Sequence, residues 1–343
     1  MRFALSPEHV DFGASIRKLL DSGRTPAAIR AWGAGDPAAG RKLIEGLAGA
    51  GVLGLNIAEE YDGLGAEPLD LVVAFVELGR AAAPGPLVES AAAIPALLQA
   101  LPDSEPAGRW LPGIAEGAAL GTIAVARPGH RAVALDADIA GLVLVTDGTR
   151  LSTGKTGELV RSVDPARRLF TIETDELIAE GPQVGAAVAA AFDFAALANA
   201  AQLLGAGRAL LDSSTEYVKQ RKQFGRPIGE FQAVKQQLAD VFIALDLAEP
   251  LLHRAALTTA TANRSRDISA AAVAAIDAAH LAARTALQVH GAIGYTAEYD
   301  LSLWLTRVTA LRTAWGTTDL HRARIAEALR ATAGQETPVG ALQ

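Results

Sequence analysis

Short β-type segments interrupt a chain whose other regions carry helical patterns, and this order constrains the fold more than any other feature. Over residues 116–184 the sequence consists of short runs rich in Val, Ile, Leu and Thr. These runs are separated by Gly, Asp and Pro. This rhythm predicts strands joined by turns. The runs read GTIAVA, IAGLVLVTDG, RLSTGKTGELVRSV and RRLFTIET. We therefore predict a small β domain inserted between helical domains.

The regions on either side have the spacing of amphipathic helices. Over 1–115, Ser6-Pro7-Glu8 offers a hydroxyl N-cap, a proline at the first helical position and an acid near the positive end of the helix dipole. Over 185–331, apolar residues recur at helical spacing along four long segments. Residues 332–343 are expected to form a loose tail. The predicted fold is mainly α: an N-terminal helical domain, a middle β-barrel-like domain and a C-terminal four-helix bundle.

Composition excludes several classes of protein. A chain of 343 residues, half of them hydrophobic, predicts two or three packed domains. The net charge of −7 argues against a nucleic-acid binder. The chain has no cysteine, and its six histidines lack the spacing of a zinc site, so we expect no metal. We find neither a signal peptide nor a membrane span in the sequence, and we expect a cytoplasmic protein.

A cationic, glycine-rich corner separates two of the long helical segments of the third region. It reads RKQFGRPIGEFQ, residues 221–232. Gly225, Pro227 and Gly229 do not fit inside a helix, so the chain turns there. The fork of donors on Arg221 and its permanent charge suit a pyrophosphate. The alternative is a plain interhelical loop.

A second motif, QVHGAIGY, follows at 288–295. The two motifs, in this order within a predicted bundle, resemble those of the acyl-CoA dehydrogenase family. The resemblance covers nearly the whole chain. It implies FAD as cofactor, bound between subunits, and oxidation of an acyl-CoA thioester to its 2,3-enoyl form. It also implies a carboxylate that takes the proton next to the thioester carbonyl, while the flavin accepts hydride from the next carbon.

The resemblance further implies which residues contact the cofactor. In the family, the first motif reaches across a dimer interface towards the FAD of the neighbouring subunit, with its arginine facing the pyrophosphate. The second motif approaches the same cofactor, and its small residues let the backbone come close. Within that motif His290 is a functional candidate, and a packing role is an equal alternative. The implied cofactor-binding residues are Arg221, Gln223, Phe224, Gln288, Gly291 and Ala292.

The acid that the family uses as its base is missing from both matching positions. In most branches a glutamate precedes a Gly-Thr pair near the last helix, where this chain has Trp315. Other branches carry the glutamate on the helix before the arginine motif, and ungapped counting places Ala195 there. Asp319 lies one helical turn beyond Trp315, and an acid in the first turn of a helix explains it more simply. We therefore assign no catalytic residue.

The β domain also departs from the family pattern. A Thr-Glu-Pro segment that lies against the flavin in many members corresponds to Ala126-Arg127-Pro128 here, with a shortened continuation. The groups that would hold the flavin ring in this chain's own cleft are therefore in question. In the same domain we interpret Arg167-Arg168 as a solvated strand end rather than an anion site.

The differences from the family pattern suggest that two chains share one function. Residues that would serve the chain's own active site are replaced, whereas the motifs that would reach a neighbour's FAD are present. The chain resembles the supportive subunit of heteromeric bacterial acyl-CoA dehydrogenases, such as those that degrade steroid side chains. The hypothesis is an α2β2 complex with a paralogous catalytic subunit that holds the acyl-CoA, with an electron-transfer flavoprotein as a further partner.

Two other hypotheses remain open from the sequence. The chain could be a self-sufficient flavoenzyme that uses Asp319 or another acid as its base. It could also be a scaffold or CoA-thioester-binding protein that has abandoned flavin. Flavin binding by the isolated chain favours the first of these hypotheses. The second is favoured if replacing Arg221 with Ala leaves the flavin content of any partner unchanged.

Overall fold

The computed structural model describes residues 4–23, 25–296 and 298–333, and residues 334–343 of the predicted tail lie outside this part. Its helices and strands follow the predicted order, so the mainly α fold with a small β domain is confirmed. The helices are α1 (Pro7–Ser22), α2 (Thr25–Gly33), α3 (Ala38–Gly49), α4 (Pro68–Arg80), α5 (Ile94–Gln99, preceded by a π-helical turn over Glu89–Ala93), α6 (Glu105–Ala115), α7 (Pro182–Gln220), α8 (Gln232–Leu257), α9 (Arg264–His290), α10 (Leu301–Ala314) and α11 (Thr318–Ala333).

Local side-chain chemistry fixes where the N-terminal helices begin. The Ser6 hydroxyl accepts a hydrogen bond from the backbone N–H of His9, so α1 starts where the sequence predicts. At α4, Glu67 and Asp70 form a reciprocal capping box, in which each side chain bonds the backbone N–H of the other. These caps satisfy N–H groups that have no partner inside their own helices.

The middle domain is one mixed sheet of five strands in the order β1-β3-β4-β5-β2. Strand β1 pairs with β3 in parallel, and the other neighbours are antiparallel. The short β2 was not predicted from the sequence, because three residues carry too little alternation to indicate a strand. The edge strands β1 and β2 lie near each other, so the sheet curves towards a barrel. The strands are β1 (Gly121–Val125), β2 (Val133–Leu135), β3 (Leu142–Thr146), β4 (Arg150–Val160) and β5 (Leu169–Glu180).

The N-terminal domain and the bundle meet where α4 crosses α7. Each helix has a glycine that faces the other helix at this crossing. A Cβ on Gly205 of α7 would lie 1.9 Å from the Val76 carbonyl oxygen, and a Cβ on Gly79 of α4 would lie 2.0 Å from the Gln202 carbonyl oxygen. Only hydrogen atoms fit between the two backbones at this crossing. The long helix α7 therefore packs directly onto the first domain.

Two helical segments among the described residues, Pro182–Gln220 and Arg264–Tyr295, have the length and apolar character of a membrane span. More than half of each apolar window is buried in the bundle. Core helices of a packed bundle have this composition because they are covered on most sides.

The three domains also meet at buried polar contacts. The Trp32 indole N–H donates to Asp136 at 2.9 Å, which joins the first domain to the sheet. Arg307 of α10 forms a buried ion pair with Asp164 and donates to the Ala83 carbonyl at 2.7 Å. Each of these groups would be costly to bury alone, so the contacts fix the positions of the domains relative to one another.

The interpretation of Arg167-Arg168 as a solvated strand end is wrong. Arg168 pairs with Asp138 and lies over the Phe170 ring. Arg167 is turned into the domain junction, where Glu89 is its strongest electrostatic neighbour. Sequence alone did not place the acid from the first domain next to this strand end.

Replacing Gly205 with Ala should lower the free energy of unfolding by about 3 kcal/mol, because the new methyl group would overlap the Val76 carbonyl. Gly108→Ala in α6 is the matched control, since a Cβ there meets no atom within 4 Å. The control should raise stability by about 0.5–1 kcal/mol. Urea denaturation measures both. Equal effects of the two substitutions would contradict the close helix crossing.

Replacing Asp136 with Asn should change how stability depends on pH. Burial raises the pKa of Asp136 to about 7, with the Trp32 hydrogen bond and the Arg167 charge opposing this rise. The folded protein therefore keeps a proton that the unfolded chain releases, and stability falls as pH rises from about 4 to about 7. The variant should avoid this loss of about 4 kcal/mol. Asn also tolerates the left-handed backbone at this position. We would measure the free energy of unfolding of both proteins at several pH values. A constant difference between the two proteins across this pH range would contradict the assignment.

Candidate functional site

The cationic corner folds into a small hairpin at the end of α7. Lys222–Gln223 (β6) pairs with Arg226–Pro227 (β7), and the Ile228 N–H donates to the Arg221 carbonyl at 2.8 Å. Phe224 and Gly225 form the two-residue turn, with φ of 52° and 82°. Positive φ at both positions is typical of a type I′ turn, whose twist matches that of the paired strands.

Phe224 is an unusual residue for this turn. A left-handed backbone costs a bulky side chain roughly 1–2 kcal/mol, and Gly, Asn or Asp usually stands there. Phe224 is 92% exposed, and its ring and that of Phe231 form a T-shaped pair with centroids 6.3 Å apart. A strained backbone and an exposed aromatic ring therefore stand together at the tip of the corner.

The cations of the corner are available for a ligand. Arg226 stacks over Phe231, with its guanidinium 4.3 Å from the ring centroid. The side chains of Arg221, Lys222 and Gln223 are exposed and form no hydrogen bond or ion pair with any residue that the structure describes. The charges of Arg221 and Lys222 and the amide of Gln223 therefore all lack a partner among the described residues.

The second motif lies where α9 ends. Gln288 is exposed on the last turn of α9, and Gly291 follows the helix with φ of 63°. No atom lies within 4 Å of the position that a Gly291 Cβ would take, so the backbone here faces open space. Ala292 is exposed as well. This arrangement leaves room for a ligand to approach the main chain.

An aromatic stack joins the two motifs at one end of the bundle. The rings of Tyr217, one turn before Arg221, and His290 stack with centroids 4.2 Å apart, and Tyr299 flanks His290. The His290 Nδ1–H donates to the Ala286 carbonyl at 2.8 Å. Burial lowers the pKa of His290. The ring therefore packs in its neutral form, and it brings the corner and the Gly291 turn together.

This end of the bundle fits the diphosphate portion of FAD. Arg221 offers a fork of donors, Lys222 adds a charge, and the open Gly291 turn admits close approach of a phosphate. Gln223 and Gln288 contribute neutral amides to the same end. The predicted cofactor-binding residues are exposed, and the Tyr217–His290 stack joins the two helix ends that carry them.

The position of the family's base holds an indole. Trp315 ends α10, and its N–H donates to the Glu89 carboxylate at 3.2 Å. Phe192 packs edge-on against it, with centroids 6.4 Å apart. Ala195 is fully buried on α7. Asp319 is exposed in the first turn of α11. No acid occupies either sequence position at which the family carries its base.

Glu89 is the residue that the sequence analysis missed. It is buried in the π-helical turn before α5, and its Oε2 has no hydrogen-bond partner among the described atoms. Burial raises the pKa of Glu89, and Arg167 opposes that rise. A lone acid in the apolar run LVESAAAIPALL was the available signal. Glu89 accepts the hydrogen bond of the Trp315 indole, which stands where the family carries its base.

Asp193, the other acid near Ala195, is engaged elsewhere. Its carboxylate accepts from Arg324 at 2.6 Å, Arg264 at 2.9 Å and Ser265 at 2.7 Å. These contacts fasten α11 and α9 to α7. With its two oxygens engaged by these three donors, the Asp193 carboxylate is not free to face a substrate.

Comparisons with known proteins identify the family of this chain. Residues 6–118 match the acyl-CoA dehydrogenase N-terminal domain, and residues 185–330 match the acyl-CoA dehydrogenase C-terminal domain. Acyl-CoA dehydrogenase IpdE2 of Mycobacterium tuberculosis is 33% identical over 296 residues, which cover 85% of this chain and 88% of the relative.

Solved structures share the fold. The ChsE4-ChsE5 complex from Mycobacterium tuberculosis contains a chain with a TM-score of 0.82 and 23% identity, matched over 99% of this chain and 100% of that one. A glutaryl-CoA dehydrogenase from Mycobacterium smegmatis in complex with FADH2 has a TM-score of 0.81 and 20% identity, matched over 95% of each chain. Members of the matched family depend on FAD. This chain therefore belongs to the acyl-CoA dehydrogenase family.

Proposed function

We propose that this chain is the supportive subunit of a heteromeric, FAD-dependent acyl-CoA dehydrogenase in the cytoplasm. It completes the FAD site of a paralogous catalytic subunit and performs no proton abstraction itself. The partner holds the acyl-CoA and supplies the base. A steroid side-chain thioester is the proposed substrate class, and α2β2 is the proposed assembly.

One contrast within the structure carries this proposal. At the base position, an indole donates a hydrogen bond to the buried Glu89 carboxylate. At the far end of α7, by contrast, Arg221 is exposed and unpaired within the described chain. A self-sufficient enzyme needs an acid within hydrogen-bond reach of its substrate, whereas a supportive subunit needs only the cationic corner.

Each exposed residue of the corner has a proposed task. Arg221 neutralises the pyrophosphate, and the Gln223 and Gln288 amides orient the adenosine side of the cofactor. Phe224 covers apolar surface at the junction with the partner. The Gly291 and Ala292 backbone admits close approach. Bound FAD supplies the hydride acceptor for desaturation, and this chain contributes binding and orientation.

The relatives support a heteromeric arrangement. The ChsE4-ChsE5 structure is a complex, and this chain has the fold of one of its chains over 99% of its length. A second solved complex, a steroid acyl-CoA dehydrogenase designated Tcur3481-Tcur3483, is similar in fold with a TM-score of 0.82 and 24% identity. An electron-transfer flavoprotein is the proposed acceptor of the electrons.

Co-expression with a paralogue from the same genome tests the proposal. The purified complex should be yellow, should carry one flavin for each pair of chains, and should desaturate an acyl-CoA, whereas this chain alone should be colourless. Asp319→Asn should leave turnover of the complex unchanged, because that acid is exposed in the first turn of α11. Turnover by the isolated chain would contradict the proposal.

Replacing Arg221 with Ala should weaken flavin binding by the complex about 10- to 100-fold, because the change removes charge-assisted hydrogen bonds worth roughly 1.5–3 kcal/mol. Arg330→Ala, at an exposed position of α11, is the matched control and should bind flavin like the wild type. Fluorescence titration of the complex, stripped of flavin and refilled, measures both. Unchanged affinity in the Arg221 variant would favour a scaffold without a role in flavin binding.

Replacing Phe224 with Gly should separate stability from function. The isolated chain should gain about 1 kcal/mol, because glycine adopts the left-handed turn without strain. Association with the partner should weaken, because an exposed aromatic contact is lost. Urea denaturation of the chain and a binding titration with the partner measure the two effects. Gains in both quantities would show that Phe224 has no role at the interface.

A further inference from the structure

A cavity lies between α7 and the start of α10, and it is distinct from the Arg221 corner. Its volume is about 370 Å³. Leu210 and Leu301 line it and are almost fully buried, so the cavity has an apolar floor. Leu210 stands eleven residues before Arg221, which is roughly 16 Å along the helix. No task in flavin binding has been assigned to this cavity.

Two aromatic side chains, Tyr299 and Trp304, form part of the cavity wall. The Trp304 indole N–H donates to the Arg80 carbonyl oxygen at 2.8 Å. The Tyr299 ring packs against His290, with ring centroids 5.5 Å apart. Each ring is thus held by a residue outside the cavity. The aromatic wall is therefore in place before a ligand arrives, which lowers the cost of binding.

Two acids also line the cavity, and they differ in their partners. Asp300 forms an ion pair with Arg30 at 2.6 Å, and its side chain makes no capping hydrogen bond to α10. Glu298 is exposed and forms no hydrogen bond or ion pair with any residue that the structure describes. Helix capping, the usual role of an acid before a helix, therefore does not account for Glu298.

The apolar floor, the aromatic wall and the Glu298 carboxylate together match an organic cation with an apolar stem. Aromatic rings attract ammonium groups through their quadrupole. A carboxylate adds a charge-assisted hydrogen bond, and the Ser213 hydroxyl in the wall offers another acceptor. An anion would be repelled by Glu298, and a neutral apolar ligand would take water from the carboxylate without replacing it.

We propose that this cavity binds the cationic end of an alkylammonium group. The stem lies against Leu210 and Leu301, and the ammonium lies between the aromatic wall and Glu298. This chemistry has two sources, which are a free amine and a lysine side chain of another protein chain. The proposal does not rest on the flavin function, so its failure leaves that function untouched.

Calorimetric titration of the isolated chain with hexylammonium chloride tests the proposal. Glu298→Gln should weaken binding about 3- to 10-fold, because an exposed ion pair is lost while the shape of the side chain is kept. Glu327→Gln, at an exposed position of α11, is the matched control and should bind like the natural chain. The proposal is overturned if the natural chain does not bind the cation, or if Glu298→Gln binds it equally well.

Probes of the same length but different charge separate cation recognition from apolar binding. Hexan-1-ol should bind more weakly than hexylammonium, and hexanoate should bind more weakly still, because Glu298 repels its carboxylate. Hexanol that binds as tightly as hexylammonium would overturn the proposal.

The same titration on the complex with the catalytic partner distinguishes the two sources of the cation. If the source is a free amine, the complex should bind hexylammonium like the isolated chain. If the source is a lysine of the partner, that side chain should occupy the cavity and prevent binding.

Discussion

The stack of Tyr217 on His290 is the contact on which the proposed site depends. It joins the last turn of α7 to the last turn of α9, and so it brings the Arg221 corner next to the open backbone at Gly291. Without it, the two motifs would be separate helix ends. With it, one end of the bundle carries cations and amides that have no partner among the described residues, together with accessible main chain. That combination suits a diphosphate better than it suits an interhelical loop.

The position of the missing base has the opposite character. Trp315 stands there and donates a hydrogen bond to Glu89, and Phe192 packs against the indole. An acid that is buried in this way resists ionisation. An indole and a buried acid thus stand where the family carries its base, whereas the Arg221 corner is exposed. These two features support each other, because a chain that contributes binding groups to another subunit has no need of an accessible cleft of its own.

Sequence reasoning succeeded where local chemistry decides the structure. The Ser6 cap, the strand rhythm and the turn at Gly225 each depend on neighbouring residues, and each was predicted. It failed where distant segments meet. Glu89 and Arg167 come from different domains, and only the packing of the first domain against the sheet brings them together. The Phe224 turn was recognised as a corner, but its strain depends on backbone angles that no composition rule gives.

The most direct test of this account is a structure of the co-purified complex with FAD. The account predicts that the Arg221 guanidinium lies about 2.7–3.2 Å from the pyrophosphate of an FAD whose flavin ring rests in the partner subunit. It also predicts that Trp315 still bonds Glu89. A flavin ring in this chain's own cleft, with Trp315 displaced and an acid of this chain facing the ring, would contradict the account.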